Sequence, residues 1–124
     1  MWYSILLVAL GSACGGVARF LMQYAFASWV GVSFPWGTLC VNALGCFAIG
    51  LTYGLTEKSL ARHFIGVGIL GGFTTFSSFS FETMALMQDD HPGAALGYVG
   101  LSMGSCLALV WLGWLAALAL RRAA

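Results

Sequence analysis

Four long apolar stretches occupy nearly all of this 124-residue chain and leave it few ways to fold. They cover residues 5–27, 36–56, 64–87 and 94–120. A helix needs about 20 apolar residues to cross the hydrocarbon core of a bilayer, and every stretch reaches that length. The mean hydropathy is +0.92 and 7% of the residues are charged, whereas an ordinary water-soluble domain has about 25%. The chain therefore reads as a membrane protein with four spans.

The segments between the stretches are short, at residues 28–35, 57–63 and 88–93. None of them can hold a separate catalytic or regulatory domain. We therefore predict an all-α fold, with one four-helix transmembrane domain over residues 1–124. Because no nucleophile–base pair or cluster of metal ligands stands out, we expect no enzyme activity. The function must then lie inside the bilayer.

The basic residues that flank the spans all fall on one side of a four-helix arrangement: Lys58, Arg62, Arg121 and Arg122. The loops on the other side carry no Lys or Arg and include the acidic pair at 89–90. Cytoplasmic loops are usually the basic ones, so this bias predicts that both termini are cytoplasmic.

Glycines crowd the first half of the third span, at positions 66, 68, 71 and 72, and are followed by β-branched Thr74 and Thr75. Both features weaken a helix, so we predict a break in this helix near the middle of the membrane. A broken helix frees backbone carbonyls, and in a bilayer these need protein, water or a cation. Gly71 and Thr74 are the natural carbonyl donors. Alternatively, the glycines only allow close helix packing.

Beyond the expected break, Phe76 and Phe79 lie on one helical face with serines around them. A phenyl ring is positive at its edge, so two ring edges can flank an anion that has lost its water. Serines beside phenylalanines are unusual on a lipid-facing surface. The pair therefore indicates either an anion path or ordinary aromatic packing within a helical bundle.

Two rows of polar residues recur every four positions and so share one face of their helices. The second span contributes Thr38, Asn42 and Cys46, and the fourth contributes Tyr98, Ser102 and Cys106. The Asn42 amide has two N–H donors, which can serve a cross-helix hydrogen bond or a desolvated anion. The glycines at 93, 97, 100 and 104 lie on another face of the fourth span, where they permit close packing.

The other reactive and ionisable side chains within the spans have more than one interpretation. Cys14 and Cys40 lack a CxxC spacing and read as small packing residues. Arg19 either makes a vestibule positive for an anion or snorkels to the interface without a function. Glu82 either pairs with a hydroxyl, pairs with Arg19 or tunes a pore mouth.

Three strings carry a resemblance to a known family: GGVARF at 15–20, GTLCVNALGCF at 37–47 and GGFTTFSSF at 71–79. They resemble the signature regions of the Fluc/CrcB family of fluoride channels, over essentially the whole chain. The resemblance implies an antiparallel dual-topology dimer with two fluoride pathways and a structural sodium ion at its interface. It also implies a passive channel in the bacterial inner membrane that exports fluoride and protects against its toxicity.

The same resemblance assigns roles to residues that match the family motifs. The backbone carbonyls of Gly71 and Thr74 are expected to hold sodium. Phe76 and Phe79 are expected to be the ring-edge pair beside the fluoride path, and Asn42 the amide donor on it. The expected partners are fluoride, membrane lipid and a second subunit, with no nucleic acid.

A polar track is expected to extend the fluoride path through Thr38, Ser78, Tyr98, Ser102 and Cys106. Arg19 matches the family's basic residue in the first helix. Two positions depart from the family pattern: Ser78 stands where Thr is expected and keeps the hydroxyl, whereas Cys106 replaces an expected hydroxyl and weakens one donor.

Two questions stay open from the sequence. The one-sided charge bias fits poorly with subunits that insert both ways, so the dimer is either a homodimer or a heterodimer with an oppositely oriented homologue. A small proton-coupled multidrug exporter of the dual-topology type is the alternative function. Such an exporter needs a deep carboxylate, usually on the first helix, and Glu82 is the only candidate within the spans.

Overall fold

The structure, a computed structural model, describes residues 1–123 and contains four long helices. They are α1 (Trp2–Val30), α2 (Trp36–Leu55), α3 (Ser59–Gln88) and α4 (Pro92–Ala123). All four are long and apolar enough to cross a membrane, and no strand occurs in the described part of the chain. The predicted all-α fold is confirmed, and the chain is an integral multi-pass membrane protein.

The third helix is interrupted, as its composition predicted. Its first half is wound as a wide π-helix over Arg62–Leu70 and then continues as one α-turn, Gly71–Phe73. Thr74 and Thr75 are extended, with ψ angles of 157° and 112°. A regular α-helix resumes over Phe76–Gln88. The break therefore lies where the glycine-rich run meets the two β-branched threonines.

Glycines bring α1 against the first half of α3 at backbone distance. A Cβ added to Gly11 would lie 2.6 Å from the Phe64 carbonyl oxygen, and one at Gly15 would overlap the Ile69 carbonyl. On the α3 side, a Cβ at Gly72 would lie 2.6 Å from the Ser12 carbonyl oxygen. Any larger residue at these positions would push the two helices apart, which is how small residues act in membrane interfaces.

A second glycine contact joins α2 to α4, the most extensive helix pair of the fold. A Cβ at Gly113 would overlap the Phe47 carbonyl, and a Cβ at Gly50 would overlap the Val110 carbonyl. The glycines at 93, 97, 100 and 104 take no part, because a Cβ at any of them meets nothing within 4 Å in the described chain. The α4 face that packs within the chain is therefore the Gly113 face.

Candidate functional site

Two cavities lie on either side of the α3 break. The narrow cavity has a volume of about 310 Å³, and its lining includes Asn42, Cys46, Phe76, Phe79, Ser102 and Cys106. The wide cavity has a volume of about 610 Å³, and its lining includes Gln23, Thr38, Ser77, Ser78, Phe81 and Glu82. Seven of the residues predicted as site residues line the narrow cavity, since Gly71 and Thr74 also belong to its wall. Sequence positions from three helices thus converge on one space.

Asn42 fastens the α3 break to α2. Its Nδ2 donates to the Thr75 carbonyl at 2.9 Å, and its Oδ1 accepts from the Thr75 N–H at 2.7 Å. One amide thereby satisfies both backbone groups of an extended residue, which would otherwise be unpaired in an apolar environment. The cross-helix role considered for Asn42 is therefore present. The second N–H of its amide makes no hydrogen bond within residues 1–123, and Asn42 lines the narrow cavity.

The break frees the carbonyls of Gly71 and Thr74 from their helical donors. In a continuous helix, the N–H of Thr75 would donate to Gly71, and the N–H of Ser78 would donate to Thr74. Instead, Thr75 N–H donates to Asn42, and Ser78 N–H donates to the Thr75 hydroxyl at 3.2 Å, which caps the second half of α3. The two carbonyls predicted as cation ligands are those that lose these bonds.

The two phenylalanines stand together but differ in exposure. Their ring centroids are 5.4 Å apart with an interplanar angle of 46°. Phe79 is 7% exposed and continues the aromatic cluster to Tyr98 at 5.2 Å, whereas Phe76 is 71% exposed. Phe76 therefore forms one wall of the narrow cavity from the outer surface of the chain.

Ser102 carries a buried hydroxyl without a partner. The residue is 2% exposed, and its Oγ has no hydrogen-bond partner in the part of the chain that the structure describes. It lines the narrow cavity together with Asn42 and the two phenylalanines. Buried hydroxyls are usually paired, so this one is free to donate to a polar group in the cavity.

A chain of hydrogen bonds closes the wide cavity against α4. Gln23 Nε2 donates to Thr38 Oγ1 at 2.8 Å, and Thr38 Oγ1 donates to Glu82 Oε1 at 2.7 Å. Tyr98 donates its hydroxyl to Glu82 Oε2 at 2.7 Å. Glu82 thus pairs with hydroxyls, the first of the alternatives open for it. Thr38 and Tyr98 both direct their protons to this carboxylate.

The remaining predicted residues fall at two different places. Ser78 lines the wide cavity and accepts a hydrogen bond at 3.1 Å from the hydroxyl of Thr75, which lines the narrow one. Ser78 therefore lies at the junction of the two cavities. Arg19 is half-buried on α1 and is not among the residues that line either cavity. The hydrogen-bond partners of Glu82 are Thr38 and Tyr98, and Arg19 is not one of them.

The two polar rows face each other along the seam between α2 and α4. Members that are 60 positions apart lie at the same level of the seam: Thr38 with Tyr98, Asn42 with Ser102, and Cys46 with Cys106. The first pair shares Glu82, and the other two pairs line the narrow cavity. Because α2 and α4 run parallel, the shared four-residue spacing places the members of the two rows opposite each other at three successive helical turns.

The chain is similar to characterised proteins over most of its length. Residues 6–114 match the family described as "CrcB-like protein, Camphor Resistance (CrcB)". The "Fluoride-specific ion channel FluC" of Opitutus terrae is 47% identical over 122 residues, which cover 93% of this chain and 92% of that protein. The protein of the same name from Thermus thermophilus is 51% identical, over 88% of this chain and 89% of its own. That of Paramagnetospirillum magneticum is 48% identical, over 94% and 96%.

Proposed function

This chain belongs to the CrcB-like family, and we propose on that premise that it is a passive fluoride-specific channel through which fluoride leaves the cytoplasm. In a bacterium its place is the inner membrane. The names of its relatives support this function, as does a cavity between the spanning helices that is lined by Asn42, Ser102 and two phenylalanines. A channel supplies a path rather than a chemical step, so the chain acts as a transporter and not as an enzyme.

The observation that carries the proposal is the unpaired Ser102 hydroxyl in the narrow cavity. An anion there can accept the Ser102 proton and the second N–H of Asn42. The ring edges of Phe76 and Phe79 offer further positive charge density without competing acceptors. Donors this close together replace the water of a small anion better than that of a larger one, which favours fluoride over chloride.

The hydroxyls of Thr38 and Tyr98 belong to the same route at the level of the wide cavity. In the structure both hydroxyls donate to the Glu82 carboxylate. They can therefore donate to an anion only when their hydrogen bonds to Glu82 are broken. Ser78 connects this level to the narrow cavity through Thr75. We therefore propose that fluoride passes from the wide cavity to the narrow one along this row, with Arg19 drawing anions toward the mouth.

Sodium fits the carbonyls at the α3 break. Gly71 and Thr74 present oxygens that have lost their helical donors, and hard cations prefer such oxygen ligands. Gly71 is exposed on the chain surface, so its carbonyl can also meet a second subunit. When bound, the ion would supply a central positive charge that ties the broken helices of two subunits together.

We also propose that the functional unit is an antiparallel dimer with two pathways. Within one chain, the exposed Phe76 closes only part of the wall of the narrow cavity, and a second subunit would complete it. A homodimer is the simpler arrangement. A heterodimer with an oppositely oriented homologue would explain the one-sided charge bias, and the behaviour of the purified chain separates the two.

Fluoride efflux from liposomes that contain the purified chain alone tests the function. We expect rapid fluoride efflux with little chloride efflux, and a loss of about tenfold or more in Phe76→Ile, which lacks the ring edge. Phe20→Ile is the matched control, because Phe20 is also an exposed phenylalanine, at 65%, but lies on α1 away from both cavities. Equal efflux of chloride, or equal loss in both variants, would contradict the proposal.

A further inference from the structure

Two cysteines that are 60 positions apart in the sequence line the same narrow cavity. We propose that Cys46 and Cys106 form a binding site for a soft divalent cation that takes two thiolates in a linear arrangement, with Hg²⁺ as the probe. Occupancy of this site would close the anion path. The block of fluoride rests on the proposed function, whereas the binding of the cation does not.

The geometry of the α2–α4 seam brings the two thiols together. Cys46 and Cys106 both line the narrow cavity, and each lies one helical turn before the point where the backbones of Gly50 and Val110 are in contact. Their register is held by the backbone contacts at Gly50 and Gly113, which leave α2 and α4 no room to slide. A metal–thiolate bond is about 2.3 Å long, so a linear site needs sulfurs about 4.6 Å apart.

The charge balance favours a divalent ion over a monovalent one. Two thiols bind one Hg²⁺ as two thiolates and release two protons, so the bound group is neutral. A monovalent ion with the same two ligands would leave one net negative charge inside the membrane, where an uncompensated charge is costly. Soft thiolate ligands also select soft metal ions over magnesium or calcium.

The ligand count separates Hg²⁺ from Zn²⁺. Structural zinc takes four ligands, and no group of three or more His, Cys, Asp or Glu residues that could hold a metal occurs among the described residues. Met103 lines the same cavity and offers only a weak thioether. The site therefore suits an ion that is satisfied by two sulfurs.

The binding test uses the full chain with Cys14→Ser and Cys40→Ser, which leaves only the proposed pair. After treatment with mercuric chloride, intact-mass measurement should show one mercury per chain with the loss of two hydrogens, and equimolar zinc should not compete. Cys46→Ser in this background should instead show mercury on one thiol, with one chloride retained and the loss of one hydrogen. Two separate mercury adducts per chain, one on each thiol, would by themselves overturn the proposal.

The transport test uses the same protein in liposomes. Mercuric chloride should lower fluoride efflux by about tenfold, zinc should leave it unchanged, and excess dithiothreitol should restore it. If mercury bridged the two thiols and fluoride efflux stayed undiminished, the claim that the bound ion closes the anion path would be overturned. A bridging adduct in a chain that shows no fluoride efflux before treatment would contradict the proposed function and leave the metal site standing.

Discussion

Ser102 differs from the other polar side chains at the site because its hydroxyl has no hydrogen-bond partner among residues 1–123. Asn42 is bound to Thr75, and Thr38 is bound between Gln23 and Glu82. Buried polar groups that are already paired hold the helices together, whereas an unpaired donor is available for a ligand. At the scale of single residues, anion binding therefore depends most on Ser102.

Ser102→Ala should lower fluoride efflux by roughly tenfold to a hundredfold. A hydrogen bond to a charged group contributes about 1.5–3 kcal/mol, and the structure holds no second role for this hydroxyl. Stability in detergent should change little. Ser105→Ala is the matched control, because the Ser105 hydroxyl donates to the Ser102 carbonyl within α4. Equal efflux in the wild type and Ser102→Ala would show that this hydroxyl does not contact the anion.

Glu82→Gln separates the channel from the proton-coupled exporter. A glutamine keeps one oxygen as an acceptor for Thr38 or Tyr98 but cannot carry a proton from one side of the membrane to the other. We expect fluoride efflux to stay within about tenfold of the wild type and a pH gradient to drive no transport in either protein. Transport that follows the pH gradient in the wild type and disappears in the variant would support the exporter.

The sequence predicts some of these residues better than others. The four-residue spacing identified Thr38, Asn42 and Ser102, because a regular helix places such positions on one face. Gln23 was not among the predicted residues, although a lone amide four positions after Arg19 in an apolar helix is a usable signal. The partner of Glu82 was undecided because it depends on how α2, α3 and α4 are placed, which spacing within one helix does not contain.

At the scale of helices, the break in α3 was predictable and its attachment was not. Glycines and β-branched residues weaken a helix through local effects that the sequence displays directly. The π-winding of Arg62–Leu70 and the bonds between Asn42 and Thr75 depend on tertiary packing. The roles of the predicted site residues toward fluoride and sodium remain predictions.

Asn42→Ala should destabilise the chain by about 2–5 kcal/mol, because it leaves the N–H and the carbonyl of Thr75 unpaired in the membrane. Thermal or denaturant unfolding in detergent micelles measures this change. Thr52→Val is the control on the same helix, since the Thr52 hydroxyl only donates to Ala48 within α2. A smaller loss in Asn42→Ala than in Thr52→Val would show that the break does not depend on Asn42.

Gly113→Ala should destabilise the fold by about 1–3 kcal/mol, because the added methyl group overlaps the Phe47 carbonyl and forces α2 and α4 apart. Gly93→Ala is the matched control on α4, where an added methyl group meets nothing within 4 Å in the described residues. The same unfolding measurement compares the two. If Gly93→Ala lost as much stability as Gly113→Ala, the proposed α2–α4 contact would not be what holds these helices.

At the scale of the whole molecule, hydropathy alone sufficed to predict four spanning helices, since the bilayer sets their length and composition. How two chains associate is not contained in one chain's apolar pattern. The four basic residues on one side argue for a single orientation, whereas the exposed Phe76 and Gly71 argue for a second subunit beside them.

The reversal potential of the current through the purified chain in a planar bilayer tests the central claim most directly. With a fluoride gradient, equal chloride on both sides and a pH gradient imposed separately, we predict a current that reverses at the fluoride equilibrium potential. Changing the pH gradient should not move the reversal potential, because a passive channel couples fluoride to no other ion. A reversal potential that follows the proton gradient, or that stays at zero as the equal chloride concentrations would set it, would contradict a passive fluoride-specific channel.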